Sequence, residues 1–273
     1  MERTRDYEAY LRRTEHSVAT QEKYLRDVTA FLVWLGEREL TKDETTAWKA
    51  QLAVQHAPAT VNAALSALNG YLRFLNREDC RVRFLKVQRR IFREVGKELT
   101  QSEFERLIRT ARAKGRKRIA LALETIGGTG IRVSELRFIT VEAAQCGQTE
   151  ISLKGKIRPI VLPKTLCTKL LAYARKQRIG AGEIFRTRSG RPLSRGQIWA
   201  EMKSLCAAAH VAPGKVFPHN LRHLFAVVFY KVYKDIVRLA DLLGHSSINT
   251  TRIYLMTSGV EQRRQLDRLR LVQ

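Results

Sequence analysis

The chain has 273 residues, more than one ordinary hydrophobic core serves, so one large or two smaller domains are expected, and 44% apolar residues suffice for globular folding. Its 50 Lys and Arg against 26 Asp and Glu leave a charge of +24, which points to a polyanionic partner, nucleic acid before a membrane surface. No run approaches the roughly 20 apolar residues of a membrane span, MERTRDYEAYLRR is too charged for a secretory signal, and Cys80, Cys146, Cys167 and Cys206 lie far apart with no C-x-x-C, against both a zinc site and a disulfide framework; the expected location is cytoplasmic and nucleoid-associated.

The first hundred residues read as helices. Ser17 can cap a segment with Tyr24, Leu25, Val28, Phe31, Leu32 and Leu35 at helical spacing, stopped by Gly36. Thr41 to Glu44 (TKDE) has the pattern of a capping box before Trp48 and Leu52. Pro58 opens a further helix with Val61, Leu65, Leu68, Leu72 and Leu75 on one face. A bundle of about four helices is expected, with no cluster that suggests catalysis. Its residues 1–96 carry a net +4, which leaves +20 for 97–273. Between the two parts, Arg81 to Arg93 (RVRFLKVQRRIFR) holds six basic residues and no acid, the composition of a strap that could lie on phosphates, with Arg89, Arg90 and Arg93 as its candidate contacts.

Thr100 to Glu103 (TQSE) is a second capping box, and helices resume to about residue 125. EISLKGKIRPIVLP then reads as two β-branched runs around a turn at Lys154-Gly155-Lys156. Further helices are expected around 165–178, 194–209, 219–233, 235–243, 247–255 and 260–270. The second part is thus mainly α with a small antiparallel sheet.

Chemistry concentrates in this second part. GGTGIRVSELRFI (127–139) is a Gly-rich turn running into a helix, without the Lys-Ser/Thr of a P-loop or the strand context of a dinucleotide site. Arg132 stands in that helix's first turn among apolar and small residues, where packing gives no reason for it. FPHNLRHLF (217–225) puts His219, Arg222 and His223 at i, i+3 and i+4 on one helix face. No Glu lies between the histidines and an adjacent Arg repels a cation, so an oxyanion such as a phosphodiester suits the cluster better than zinc. LLGHSSINTTRIYLM (242–256) supplies His245 and, on the next helix, Tyr254. Two arginines to neutralise non-bridging oxygens, a phenol to attack, imidazoles to move its proton and a hairpin lysine to protonate the leaving oxygen are the parts of a metal-free phosphoryl transfer. Neither an acidic metal-ligand set nor a nucleoside-triphosphate motif is evident, so no cofactor is expected.

TGIRVSEL, HNLRH, LLGHSSINTTRIY and the intervening hairpin resemble, in order, the signature boxes of the tyrosine recombinase (phage integrase) family, across most of 97–273. The N-terminal part resembles that family's helical, SAM-like core-binding domain in pattern and place. The resemblance implies a core-binding domain over 1–86, a basic interdomain linker over 87–98 and a mixed but mostly helical catalytic domain over 99–273. It implies a site-specific recombinase that cuts and rejoins duplex DNA through a 3′-phosphotyrosyl link, without metal or ATP, for integration, excision or resolution. It also implies a monomer or weak oligomer when free and a homotetramer on paired sites, with accessory DNA-bending or directionality proteins as further partners.

Carried over by position, Arg132 and Arg222 would bind the scissile phosphate, His219 accept the nucleophile's proton, His245 hydrogen-bond the phosphate and Tyr254 attack. Lys154 fits the general-acid position better than Lys156, which lies two residues on and shares its face. Glu135 matches a supporting acidic position. Leu224 stands where Thr or Ser is more frequent, and Asn220 where Asp is, without loss of a catalytic group. The competing readings are a type IB topoisomerase with the same chemistry, which a requirement for paired sites would separate, and a catalytically dead DNA-binding regulator on the same fold, against which every catalytic position is filled.

Overall fold

The structure, a computed structural model, describes residues 2–86, 96–153, 156–187, 189–255, 263–264 and 267–269. The chain divides into two compact units, residues 1–90 and 91–273.

The first unit is built on α1 (Glu2–Arg13), α2 (Val18–Leu35), α3 (Lys42–Gln55) and α4 (Pro58–Phe74). Gly36 ends α2 at φ +59°, a backbone that side-chain-bearing residues rarely adopt. The Thr41 hydroxyl accepts the Glu44 N–H at the start of α3, and Pro58 opens α4. Phe31 and Leu35 of α2 cluster with Val61, Leu65, Leu68 and Leu72 of α4, Val28 clusters with Ala67 and Tyr71 of the same helix, and Trp48 closes edge-on against Phe31 at 5.2 Å. The chain beyond α4 is laid back on that helix by two asparagines seven residues apart. Asn69 exchanges bonds with the Val82 backbone (2.9 and 3.0 Å), and Asn62 does the same with Leu85 (2.9 and 2.7 Å). Amide side chains thereby pair backbone groups as a neighbouring strand would. This fixes the first half of the basic strap, while Arg89, Arg90 and Arg93 lie outside the described residues.

In the second unit, α5 (Gln101–Ala113) starts at the complete Thr100–Glu103 capping box, and α6 (Lys117–Thr129) is the central helix, packed by α5 and by the helices Lys164–Lys176 and Pro218–Tyr233. A 3-10 turn (Val133–Phe138) and α7 (Val141–Cys146) lead to the antiparallel hairpin β1 (Gln148–Leu153) and β2 (Lys156–Val161). The register pairs Leu153 with Lys156. Lys154 and Gly155 lie outside the described residues. Then follow α8 (Lys164–Lys176), α9 (Arg195–Lys203), α10 (Pro218–Tyr233), α11 (Ile236–Leu243), α12 (Ile248–Arg252) and a 3-10 turn over Ile253–Leu255. The fold is mainly α with one small antiparallel sheet among the described residues.

Three local expectations need correction. Gly127 and Gly128 do not form a turn but lie inside α6. Gly127 is small because Phe104 packs on it, with a Cβ there falling 2.5 Å from the ring. Gly130 is the residue that ends the helix, at φ +67°. Arg132 consequently stands in extended backbone (φ −75°, ψ 152°) ahead of a 3-10 turn, not in the first turn of an α-helix. The helix expected over 194–209 stops at Lys203, and the chain continues in turns to His210, which takes φ +50°.

Candidate active site

The site is built around a buried carboxylate. Glu135, 1% exposed, accepts the Arg132 backbone N–H on Oε2 (2.7 Å) and the Arg132 guanidinium on Oε1 (2.9 Å). Arg158, reaching in from β2, donates to Oε2 at 2.5 Å. Burial opposes the charge of Glu135, but the Arg132 N–H and the two guanidinium groups hold its carboxyl below the usual range. The Arg132 side chain is therefore oriented at its base while 45% of it remains exposed.

Arg222, on α10, is buried. Its Nη1 donates to Gly130 O (2.7 Å), and its Nη2 donates to Leu243 O (2.6 Å) and meets His245 Nε2 at 3.0 Å. These bonds use three of the five guanidinium N–H groups, leaving two. Burial, then the nearby Arg132, lowers its pKa to about 10, so it stays charged at neutral pH. Two glycines make room for the arrangement. A Cβ on Gly130 would fall 2.4 Å from the Phe225 ring, and one on Gly244 (φ +63°) would fall 2.3 Å from Cδ of Arg158.

His245 follows that second glycine. Its Nε2 faces Arg222, and its Nδ1 lies 2.9 Å from the hydroxyl of Thr251, which is fully buried on α12. Burial first, then the positive charge of Arg222, lowers the His245 pKa to about 4, and burial with the same arginine lowers that of His219. Both imidazoles are neutral near pH 7.

Tyr254, 5% exposed, sits among three imidazoles. Ring centroids lie 5.8 Å away for His219, 5.2 Å for His223 and 5.8 Å for His245, the last nearly parallel at 12°. His223 Nε2 is 2.9 Å from a Glu98 carboxylate oxygen, without hydrogen-bond alignment. Arg132, His219, Arg222, His245 and Tyr254 line one cleft of about 880 Å³, with Arg195 and Trp199 of α9 on its wall. An open cleft that offers two guanidinium groups, neutral imidazoles and one phenol can hold an anionic diester and attack it.

Residues 97–259 match the phage integrase family, and residues 5–79 match the phage integrase N-terminal SAM-like domain. The chain belongs to the phage integrase family. This integrase-family chain is 30% identical to the tyrosine recombinase XerA of Pyrococcus furiosus, over 78% of its own length and 75% of the relative's. It is 29% identical to the XerA of Thermococcus kodakarensis over 98% and 95%. Its fold resembles that of a lambda integrase tetramer bound to a Holliday junction (TM-score 0.74, 19% identity, 93% of this chain and 76% of that one). It is a tyrosine recombinase, a DNA-binding enzyme of DNA recombination.

The structure brings five of the sequence-derived site residues of this integrase-family chain into one cleft, while Lys154 lies outside the described residues. Sequence reasoning missed Arg158 and Thr251. Along β2 and its continuation, Ile157, Pro159 and Val161 face out while Ile160 and Leu162 are buried. Period-two alternation thus puts Arg158 on the inward face, a signal that was available. Thr251 carries no comparable mark in a short polar helix.

Proposed function

We propose that the chain is a site-specific recombinase that breaks and rejoins DNA through a 3′-phosphotyrosyl intermediate, without metal ion or ATP, for integration, excision or resolution of DNA elements. The observation that carries this reading is the enclosure of the Tyr254 ring by His219, His223 and His245 in the cleft that Arg132 and Arg222 share. The Tyr254 oxygen attacks the scissile phosphorus, the bond to the 5′-oxygen breaks, and a free 5′-hydroxyl leaves. The ester conserves the energy of the broken bond, so religation by the reverse attack needs no triphosphate.

His219 is the base for the phenol proton, and its lowered pKa keeps its lone pair available at neutral pH. Arg132 and the two remaining N–H groups of Arg222 neutralise the non-bridging oxygens as charge gathers in the transition state. His245 accepts from Arg222 before DNA arrives and, keeping its Nδ1 proton, takes up a second from solvent on Nε2 once the phosphate's charge favours it, and donates there to the phosphate. Lys154 is assigned from the hairpin's sequence as the acid for the 5′-oxygen, with Lys156 as the alternative. Paired duplex sites held by a homotetramer are the proposed assembly, consistent with the fold shared with a tetramer bound to a Holliday junction. DNA-bending or directionality proteins are the proposed accessories, and the proposed location is cytoplasmic and nucleoid-associated, where the DNA lies.

The test is a set of nicked duplexes from the flanks of the protein's own gene, in which a short 5′-hydroxyl fragment diffuses away after cleavage. Wild-type protein should accumulate a covalent band on denaturing gels in excess chelator, and Tyr254→Phe should bind the same duplex without forming it. A requirement for two sites before strands exchange separates recombination from the swivelling of a type IB topoisomerase.

A further inference from the structure

The bond between His245 and Thr251 carries more than packing. Nη2 of Arg222, 3.0 Å from His245 Nε2, has hydrogens and no lone pair, so Nε2 must present its own lone pair. The ring proton of neutral His245 is then on Nδ1 and is donated to the Thr251 hydroxyl at 2.9 Å. Thr251 is fully buried and stands three residues before Tyr254, on a helix of five residues that runs directly into the 3-10 turn carrying the phenol. So short a helix holds its place through side-chain ties more than through its own ladder.

We propose that Thr251 is a positioning residue of the reaction: its hydroxyl fixes the Nδ1–H tautomer of His245, keeps Nε2 as the nitrogen that faces the phosphate site, and ties the Tyr254 segment to Arg222 through His245. The continuous path is Tyr254 segment, Thr251 Oγ1, His245 ring, Arg222 guanidinium and the carbonyls of Gly130 and Leu243. The near-parallel stacking of the His245 and Tyr254 rings depends on the same tie, because the hydroxyl sets the plane of the imidazole. This inference rests on Tyr254 being the nucleophile, but its first test does not.

That first test is long-range ¹H–¹⁵N correlation of the imidazoles in DNA-free, full-length protein at pH 7, with His245 assigned by His245→Gln. The expected result is a pyrrole-type Nδ1 and a pyridine-type Nε2. A wild-type His245 that is protonated on Nε2 overturns the proposal whatever the variants do.

The second test compares Thr251→Val, which keeps shape and loses the hydroxyl, with Thr251→Ser, which restores it. Thr251→Val should mix the two His245 tautomers and slow single-turnover formation of the covalent complex about tenfold, the scale of a lost buried hydrogen bond. Affinity for the nicked duplex should stay within about twofold, and Thr251→Ser should recover both tautomer and rate. A Thr251→Val protein with one fixed Nδ1–H tautomer and the wild-type rate contradicts the proposal. So does a Thr251→Ser protein, folded by circular dichroism, that fails to recover the tautomer. Covalent complex in a Tyr254→Phe control would instead sink the functional reading and leave the tautomer result standing.

Discussion

Arg158 and Arg222 cap consecutive carbonyls at the end of α11: Arg158 donates to Leu242 O and Arg222 to Leu243 O. Cations are favoured at a helix C-terminus, where the last carbonyls lack partners. The same two arginines reach the Glu135–Arg132 pair and His245, so one helix end fixes the position of most of the cleft's charged groups.

Arg158→Met should therefore be costly although Arg158 lies off the cleft wall. Its side chain is 11% exposed and its partner Glu135 1%, and removing one member of a buried pair typically costs about 3–5 kcal/mol. Urea unfolding should show a clear drop in midpoint. The double variant with Glu135→Gln should lose less than the sum of the single losses, since the residues share one interaction. Additive losses would mean that the two do not act together.

The two arginines proposed to bind the phosphate should separate in stability. Arg132 is 45% exposed and leaves Glu135 its backbone N–H and Arg158 as partners, so Arg132→Ala should lose less stability than Arg222→Ala while cleavage falls on the order of a hundredfold or more. Arg222 is buried among carbonyls, so Arg222→Ala should lose cleavage and also unfold at lower urea, because Gly130 O and Leu243 O lose their donor. Equal unfolding midpoints for the two variants would contradict the burial argument.

Stability should fall with acid in a defined window. His245 has a pKa near 4 when folded against 6.5 ordinarily, and that of His219 is lowered too. The unfolded chain thus takes up protons first as pH drops below about 6.5, and stability is lost progressively toward pH 4. Glu135 acts lower, because its folded pKa lies below the usual carboxylate value and its contribution fades as pH falls through that value. His245→Gln should flatten the pH 6.5–4 limb of the urea midpoint, and an unchanged limb would show that His245 does not supply it.

DNA affinity should be strongly salt-dependent. Neutralising Arg89, Arg90 and Arg93 together should lower the slope of log affinity against log salt by up to about 2.7, at roughly 0.9 per lost phosphate contact. An unchanged slope would make this part of the basic run a solvated linker.

Much of this could be read from the residues because it rests on local rules. The Thr100–Glu103 capping box, Pro58 at a helix start and Gly36 at a helix end each follow from backbone chemistry within a few positions. The i, i+3, i+4 spacing of His219, Arg222 and His223 gave the right helix face, although Arg222 turns inward to carbonyls while both histidines flank Tyr254. What was not legible depends on distant partners. Gly127 sits within a helix because Phe104 packs over it, and no property of GGTG reports that ring. Thr251 matters through His245, six residues away across a turn, and Arg158 through a carboxylate 23 residues back.

Whether Tyr254 is the nucleophile is decided by mapping the covalent adduct. Trypsin separates the candidates, since Tyr254 falls in the peptide from Ile253 to Arg263, Tyr230 in that from His223 to Lys231, and Tyr233 in that from Val232 to Lys234. Complex trapped on a nicked duplex in excess chelator, digested with nuclease and trypsin, should carry the residual nucleotide on the Ile253–Arg263 peptide, fragmenting at tyrosine. Nucleotide on either of the other peptides, or no adduct until a divalent metal ion is added, would contradict the account.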